Sequence, residues 1–152
     1  MPNFNRFTIK AQEALQRAQD LAGELNHSEL RVLHLLKSLI SDEQTLVRPM
    51  LVRASVNLAS MEEEVQNELN KLPKLLSSSN VGQLYLSQEL MKVLDQAAKI
   101  ALQQKDEFVS CEHLLLSVFD VPSVAQSILN RFGVRRESLI RYLAQLRGSV
   151  RI

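Results

Sequence analysis

One cysteine, no tryptophan, four glycines and four prolines in 152 residues leave out much of what several protein classes are built from. Cys111 alone cannot close an internal disulfide, so the framework of a small secreted domain is excluded and a reducing cytoplasm is the expected location. The opening MPNFNRFTIK lacks the apolar core of a secretory signal. No apolar run approaches the ~18 residues of a membrane span. A net charge of +1 supplies no global field for nucleic acid or an anionic surface. Also missing are a G-x-x-x-x-G-K-[ST] phosphate loop, a G-x-S-x-G elbow and a Gly-rich dinucleotide turn, so no enzymatic reaction is expected of the chain.

What is present is ordinary globular material, 45% hydrophobic and 23% charged. A chain of this length buries roughly 68–70% of its unfolded surface without staples. Two Tyr and five Phe, few turn formers and abundant Leu, Ala, Gln, Glu and Lys favour helices over strands. The expected fold class is all-α.

The chain also repeats itself. SCEHLLLSVF at 110–119 restates RVLHLLKSLI at 31–40, with His34 and His113 set 79 positions apart. The same offset carries Thr8 onto Ser87, each a candidate N-cap, and Leu15, Ala18, Leu21 and Ala22 onto Leu94, Ala97, Ile100 and Ala101 at helical spacing. The phrase around each histidine is too apolar for a surface helix. A third pair follows after one residue of slippage, Leu46, Met50, Leu51 and Ala54 against Val124, Ile128, Leu129 and Phe132. Gly133 then Val134 reads as a left-handed helix stop. A fourth sets Leu58, Met61, Val65 and Leu69 against Ile140, Leu143 and Leu146. The pattern predicts eight helices, as two four-helix repeats related by a pseudo-twofold axis and packed into one globular domain. Repeat one spans about 4–72 and repeat two about 87–148, with a connector at about 73–86 whose Pro73, three serines, Asn80 and Gly82 interrupt any helix.

Ser110, Cys111, Glu112 and His113 read as N-cap, N1, N2 and N3 of the sixth helix, with Glu112 gaining ~0.3–1 kcal/mol at the positive end of the helix dipole. The same Glu112, with Asp106 in the preceding loop, also reads as an acidic lip for a ligand. A zinc site from His34, His113 and Cys111 lacks the closely spaced ligand pairs that structural zinc requires. The two histidines are expected to hydrogen-bond nearby loops from the first helical turn, and His27 to be an exposed loop residue. The basic tail, Arg131, Arg135, Arg136, Arg141, Arg147 and Arg151, reads as a solvated face or as partner to the acidic run Glu62, Glu63, Glu64 and Glu68. It has no helix-turn-helix or aromatic platform beside it, so no nucleic-acid partner is expected.

The phrases RFTIKAQEALQRAQDLA, LHLLKSLI, NELNKLP, VGQLYLSQELMKVLDQA and EFVSCEHLLLSV together resemble the N-terminal domain of the Clp family of ATP-driven unfoldases, a duplicated four-helix repeat. The long connector and the Gly-Gln…Leu-Ser approach to repeat two are most similar to the ClpB-type disaggregase. The resemblance implies a non-catalytic domain that offers a shallow groove to unfolded or aggregated polypeptide and assists its transfer to the pore of an AAA+ hexamer. It implies no cofactor in this chain, ATP and Mg belonging to the ATPase modules, and it extends the partners to that hexamer and a DnaK-type co-chaperone system. An isolated monomer and no membrane are expected. Carried over residue by residue, the family's substrate-handling positions fall on Thr8, Asp106 and Glu112. Its apolar contact positions fall on Gln96, Ile100 and His113, of which only Ile100 keeps apolar character. Leu33 stands where a ClpC-type phosphoarginine site needs Glu, so that activity is not expected. The alternative is a free-standing adaptor that docks on a Clp ring.

Overall fold

The computed structural model describes residues 3–75 and 84–148, which fold into two successive series of four helices. The first series is α1 (Ile9–Glu24), α2 (Val32–Ser41), α3 (Val47–Arg53) and α4 (Leu58–Asn70); the second is α5 (Gln88–Gln103), α6 (Cys111–Val118), α7 (Val124–Arg131) and α8 (Arg136–Arg147). Of the expected connector, residues 76–83 lie outside the described residues, as does Arg151.

Local chemistry starts and stops these helices at matching places. Thr8 Oγ1 accepts the Ala11 N–H at 3.0 Å and Ser87 Oγ accepts the Leu90 N–H at 3.1 Å, each satisfying a donor that the first helical turn leaves open, for typically ~1 kcal/mol. The long helices α1 and α5 are left through Asn26 (φ 60°) and Lys105 (φ 61°), in the left-handed region and 79 residues apart. The short helices α3 and α7 end at Ser55 (φ 64°) and Gly133 (φ 76°). After Gly133 the Val134 N–H reaches Leu129 O at 3.1 Å, and after Ser55 the Val56 N–H reaches Leu51 O at 3.0 Å, so the stop expected at Gly133 exists in both copies.

The repeats are joined by two short parallel pairings. β1 (Glu29–Leu30) pairs with β2 (Tyr85–Leu86), and Phe7 bridges Val109 in the same sense. Phe7 and Leu86 each precede the cap of a first helix, while Leu30 and Val109 each precede a second helix. The start of α1 is thereby tied to the start of α6, and the start of α5 to that of α2, by Thr8 N–H to Val109 O at 2.9 Å and Ser87 N–H to Leu30 O at 3.0 Å. Each repeat begins on the other.

Between them lies one core. All eight residues of α6 are buried, as is α2 apart from Lys37 and Ser41. Ala11, Ala14, Ala18 and Ala22 bury a small-residue stripe of α1 close against α2, near enough for Ser38 Oγ to donate to Ala14 O at 2.7 Å. A single apolar cluster runs through both repeats.

Three expectations need correction. His27 is 5% exposed and not a surface loop residue, because its ring is held by His34. In α8 the buried row is Leu139 and Leu143, with Ile140 only partly covered, so the one-residue slippage of the third helix pair persists through the fourth. Arg147, on the next turn of that row, is not on a solvated face but 7% exposed. Of the expected pairings between the Arg-rich tail and the acidic run, Arg131 to Glu64 at 3.3 Å is present.

Candidate functional sites

At the start of α6 a buried polar cluster collects around His113. The backbone N–H of Ser110 donates to His113 Nδ1 at 2.9 Å, so that nitrogen carries a lone pair and the ring proton sits on Nε2. Nε2 in turn lies 2.7 Å from Asp106 Oδ2 and donates to it. The ring is therefore neutral, and its contact with Asp106 is a hydrogen bond, not an ion pair. Burial, outweighing the neighbouring Asp106 carboxylate, holds the imidazole below its ordinary range, in agreement with that tautomer. The counter-charge comes from α8, where Arg147 Nη1 reaches the same Asp106 oxygen at 2.8 Å and Nη2 lies 3.9 Å from Glu112 Oε1. Glu112 is 5% exposed. Burial pushes its carboxyl above the usual range, opposed by its own backbone amide, Arg147 and Ser110. The guanidinium is poorly used, since Nε and Nη2 have no hydrogen-bond partner among the described residues.

The matching place in repeat one is built from other chemistry. Arg31 N–H donates to His34 Nδ1 at 2.9 Å, so His34 holds the same tautomer as His113. Its Nε2 faces His27 Nδ1 at 2.8 Å, and His27 occupies the position that Asp106 takes in repeat two. Burial, then the neighbouring His27, lowers the His34 pKa to about 4. Leu33 stands for Glu112, and Leu69, fully buried, stands for Arg147. An apolar and imidazole cluster in one repeat is a carboxylate and guanidinium cluster in the other.

Thr8 spends its side chain on the α1 cap and its N–H on Val109, one residue before Ser110. Asp106, Glu112 and His113 come together in the buried cluster, so the two acids form no open lip in this structure. Ile100 is 2% exposed and packs in the core. Gln96 lies apart on α5, donating to Asp120 at 3.0 Å, where repeat one has Arg17 paired with Asp42 at 3.1 Å. Sequence reasoning placed Arg147 with a solvated tail; the missed signal is the i, i+4 row Leu139, Leu143, Arg147, which points it inward. Cys111 is buried, its thiol pushed up to about 12 chiefly by burial, which makes it a poor nucleophile or metal ligand. Among the described residues no group of three or more His, Cys, Asp or Glu could hold a metal ion, and no helix is long and apolar enough to cross a membrane.

A cleft of about 430 Å³ lies along the seam between the repeats. One wall is α1, presenting Gln12, Gln16 and Gln19 beside Leu15; Leu30 comes from β1, Leu86 from β2, Leu84 from just before β2 and Leu94 from α5, with Phe4 also in the lining. Its lining is leucine with amides and contains no charged residue. None of the six residues expected from the sequence lines it.

A duplicated helical domain of this kind has known counterparts. Residues 6–132 match the family model of the Clp repeat (R) N-terminal domain, and the chain belongs to that family. It is 29% identical to the chaperone protein ClpB of Clostridium tetani over 99% of its length, and 34% identical to that of Gloeobacter violaceus, also over 99%. It spans only 18% and 17% of those two proteins. Among solved structures, the Hsp104 N-terminal domain from Candida albicans superposes with a TM-score of 0.82 at 28% identity, covering 96% of this chain and 94% of that one. A ClpV N-domain in complex with a VipB peptide shares the fold, with a TM-score of 0.73 at 19% identity, over 94% of this chain and 88% of that one.

Proposed function

We propose that this domain docks unfolded or aggregated polypeptide for a ClpB-type disaggregase, without catalysis of its own, and assists transfer of the client to the pore of a hexameric AAA+ ring. The observation that carries the reading is the uncharged seam cleft. Its leucines accept apolar side chains of any sequence; the NH2 groups of Gln12 and Gln16 are engaged with the Phe4 and Phe7 carbonyls and with Asp20, so these glutamines turn their amide oxygens to the N–H groups of an extended backbone. The family's ClpB and Hsp104 members support it, and the peptide complex of a ClpV N-domain gives a precedent on the same fold.

In this reading Thr8, Asp106 and Glu112 set up the region of the α1 and α6 starts that flanks the cleft. Ile100 and His113 support it from the core, and Gln96 belongs to its outer surface on α5. Nucleotide and Mg are bound by the AAA+ modules, not by this domain. The partners are the parent hexamer and a DnaK-type co-chaperone system, in the cytoplasm. Ordering a flexible client takes up much of the contact energy, so binding is micromolar or poorer.

Titration of the labelled domain with a permanently unfolded client, reduced and carboxymethylated α-lactalbumin, is expected to move the amide resonances of Gln12, Gln16, Leu84 and Thr8. Shifts confined to α3 and α8, or no shifts at millimolar client, would sink the reading.

A further inference from the structure

We infer that Arg147 is a positioning residue that couples the Asp106 and Glu112 carboxylates to the end of α8, so that whatever engages those carboxylates loosens the helix's last turn. Leu143 is the last fully buried apolar anchor of α8, and Leu146 is only partly covered. Beyond Leu143 the helix is held by Leu146, by an exposed hydrogen bond from Arg53 of α3 to Gln145 Oε1 at 2.7 Å, and by a guanidinium whose side chain is 7% exposed and whose charge partners are Asp106 at 2.8 Å and Glu112 at 3.9 Å; of these only the last answers to the charge of the α6 start.

That attachment is built to be released. A buried guanidinium has five donors, and this one leaves Nε and Nη2 unmatched, so it bears a desolvation cost that the Asp106 contact offsets only in part. Repeat one holds the corresponding turn of α4 with Leu69, which no change of charge can free. The groups facing Glu112 are Arg147 from α8, Asp106 from the loop before α6, and Ser110 at the α6 cap, with Cys111 and His113 beside it on α6. Among the described residues facing Glu112, Arg147 is the cation. Because coupling between two sites is reciprocal, freeing the α8 turn also changes how readily the carboxylates take a proton or a partner.

The inference rests on the docking reading only for its biological use, and its test needs no client. Carbon-detected titration of the Glu112 carboxyl, together with hydrogen exchange of the α8 and α4 amides, is measured in the wild type, Arg147→Lys, Arg147→Met and Asp106→Asn. The Glu112 midpoint is expected to rise by about one pH unit, a tenfold change in proton affinity, in Arg147→Met and to return in Arg147→Lys. Exchange at Ala144–Arg147 should quicken about tenfold in Asp106→Asn while Glu68 and Leu69 stay as they were. An unmoved Glu112 midpoint, or equal quickening at the ends of α4 and α8, overturns the coupling. If Arg147→Met does not fold, Asp106→Asn and Arg147→Lys decide the question alone. Client titration then separates the two ideas, since docking can fail in a domain whose coupling is intact.

Discussion

The two repeats share the hydroxyl caps of their first helices, their left-handed exits and the tautomer of a buried histidine, yet differ in the side chains around it, beginning with the residue that caps its helix, Arg31 in one and Ser110 in the other. His27, Leu33 and Leu69 in the first are Asp106, Glu112 and Arg147 in the second. Backbone geometry does not demand the charges, because repeat one makes the same turns without them. Stability does not demand them in general either, since replacing a buried ion cluster by apolar residues of similar volume is often neutral or stabilising. The difference teaches that the charges of the second cluster are an addition to a turn the backbone can make without them, which is the ground for the coupling inferred above.

The comparison breaks most sharply if repeat one is given a charge it cannot pair. Leu69→Arg puts a guanidinium beside Leu33 and His27, and urea unfolding is expected to show a loss of about 4 kcal/mol or more, which can unfold a domain of ordinary stability. Making repeat two a copy of repeat one sharpens the comparison. The triple change Asp106→His, Glu112→Leu and Arg147→Leu is expected to leave stability unchanged or raise it by about 1–4 kcal/mol in the same assay. Arg147→Leu alone, which removes that guanidinium and keeps both buried carboxylates, should cost about 3–5 kcal/mol. A triple variant as unstable as that single variant would show that the charges hold the fold after all. The smallest effect lies at the paired helix stops. Ser55→Gly relieves a left-handed non-glycine residue and should gain about 1 kcal/mol, and Gly133→Ser should lose as much, both read from thermal unfolding.

The helices were legible in the sequence because each second helix is apolar all round and each first helix follows a hydroxyl cap, signals that depend on neighbours a few residues away. Gly133 was legible because only glycine takes its backbone angle freely; Asn26, Ser55 and Lys105 take similar angles with side chains that do not advertise it. Arg147 was obscured by its company, five other arginines in one tail, of which Arg131 and Arg135 are exposed. His27 was obscured because its burial depends on a ring seven residues away. The crossed pairings are one or two residues long and carry no periodicity, and the seam cleft draws its lining from both repeats, so no single stretch of chain announces it.

The crossed starts also decide how the domain bears load. A pull on the chain before α1 reaches the Thr8 N–H to Val109 O bond, and through it the other repeat, before it can peel α1 from α2. The mirror-image bond from Ser87 to Leu30 does the same for α5. Because both pairings are parallel, tension along the chain shears them instead of unzipping them one bond at a time. A domain stitched in this way resists tugging as a single body.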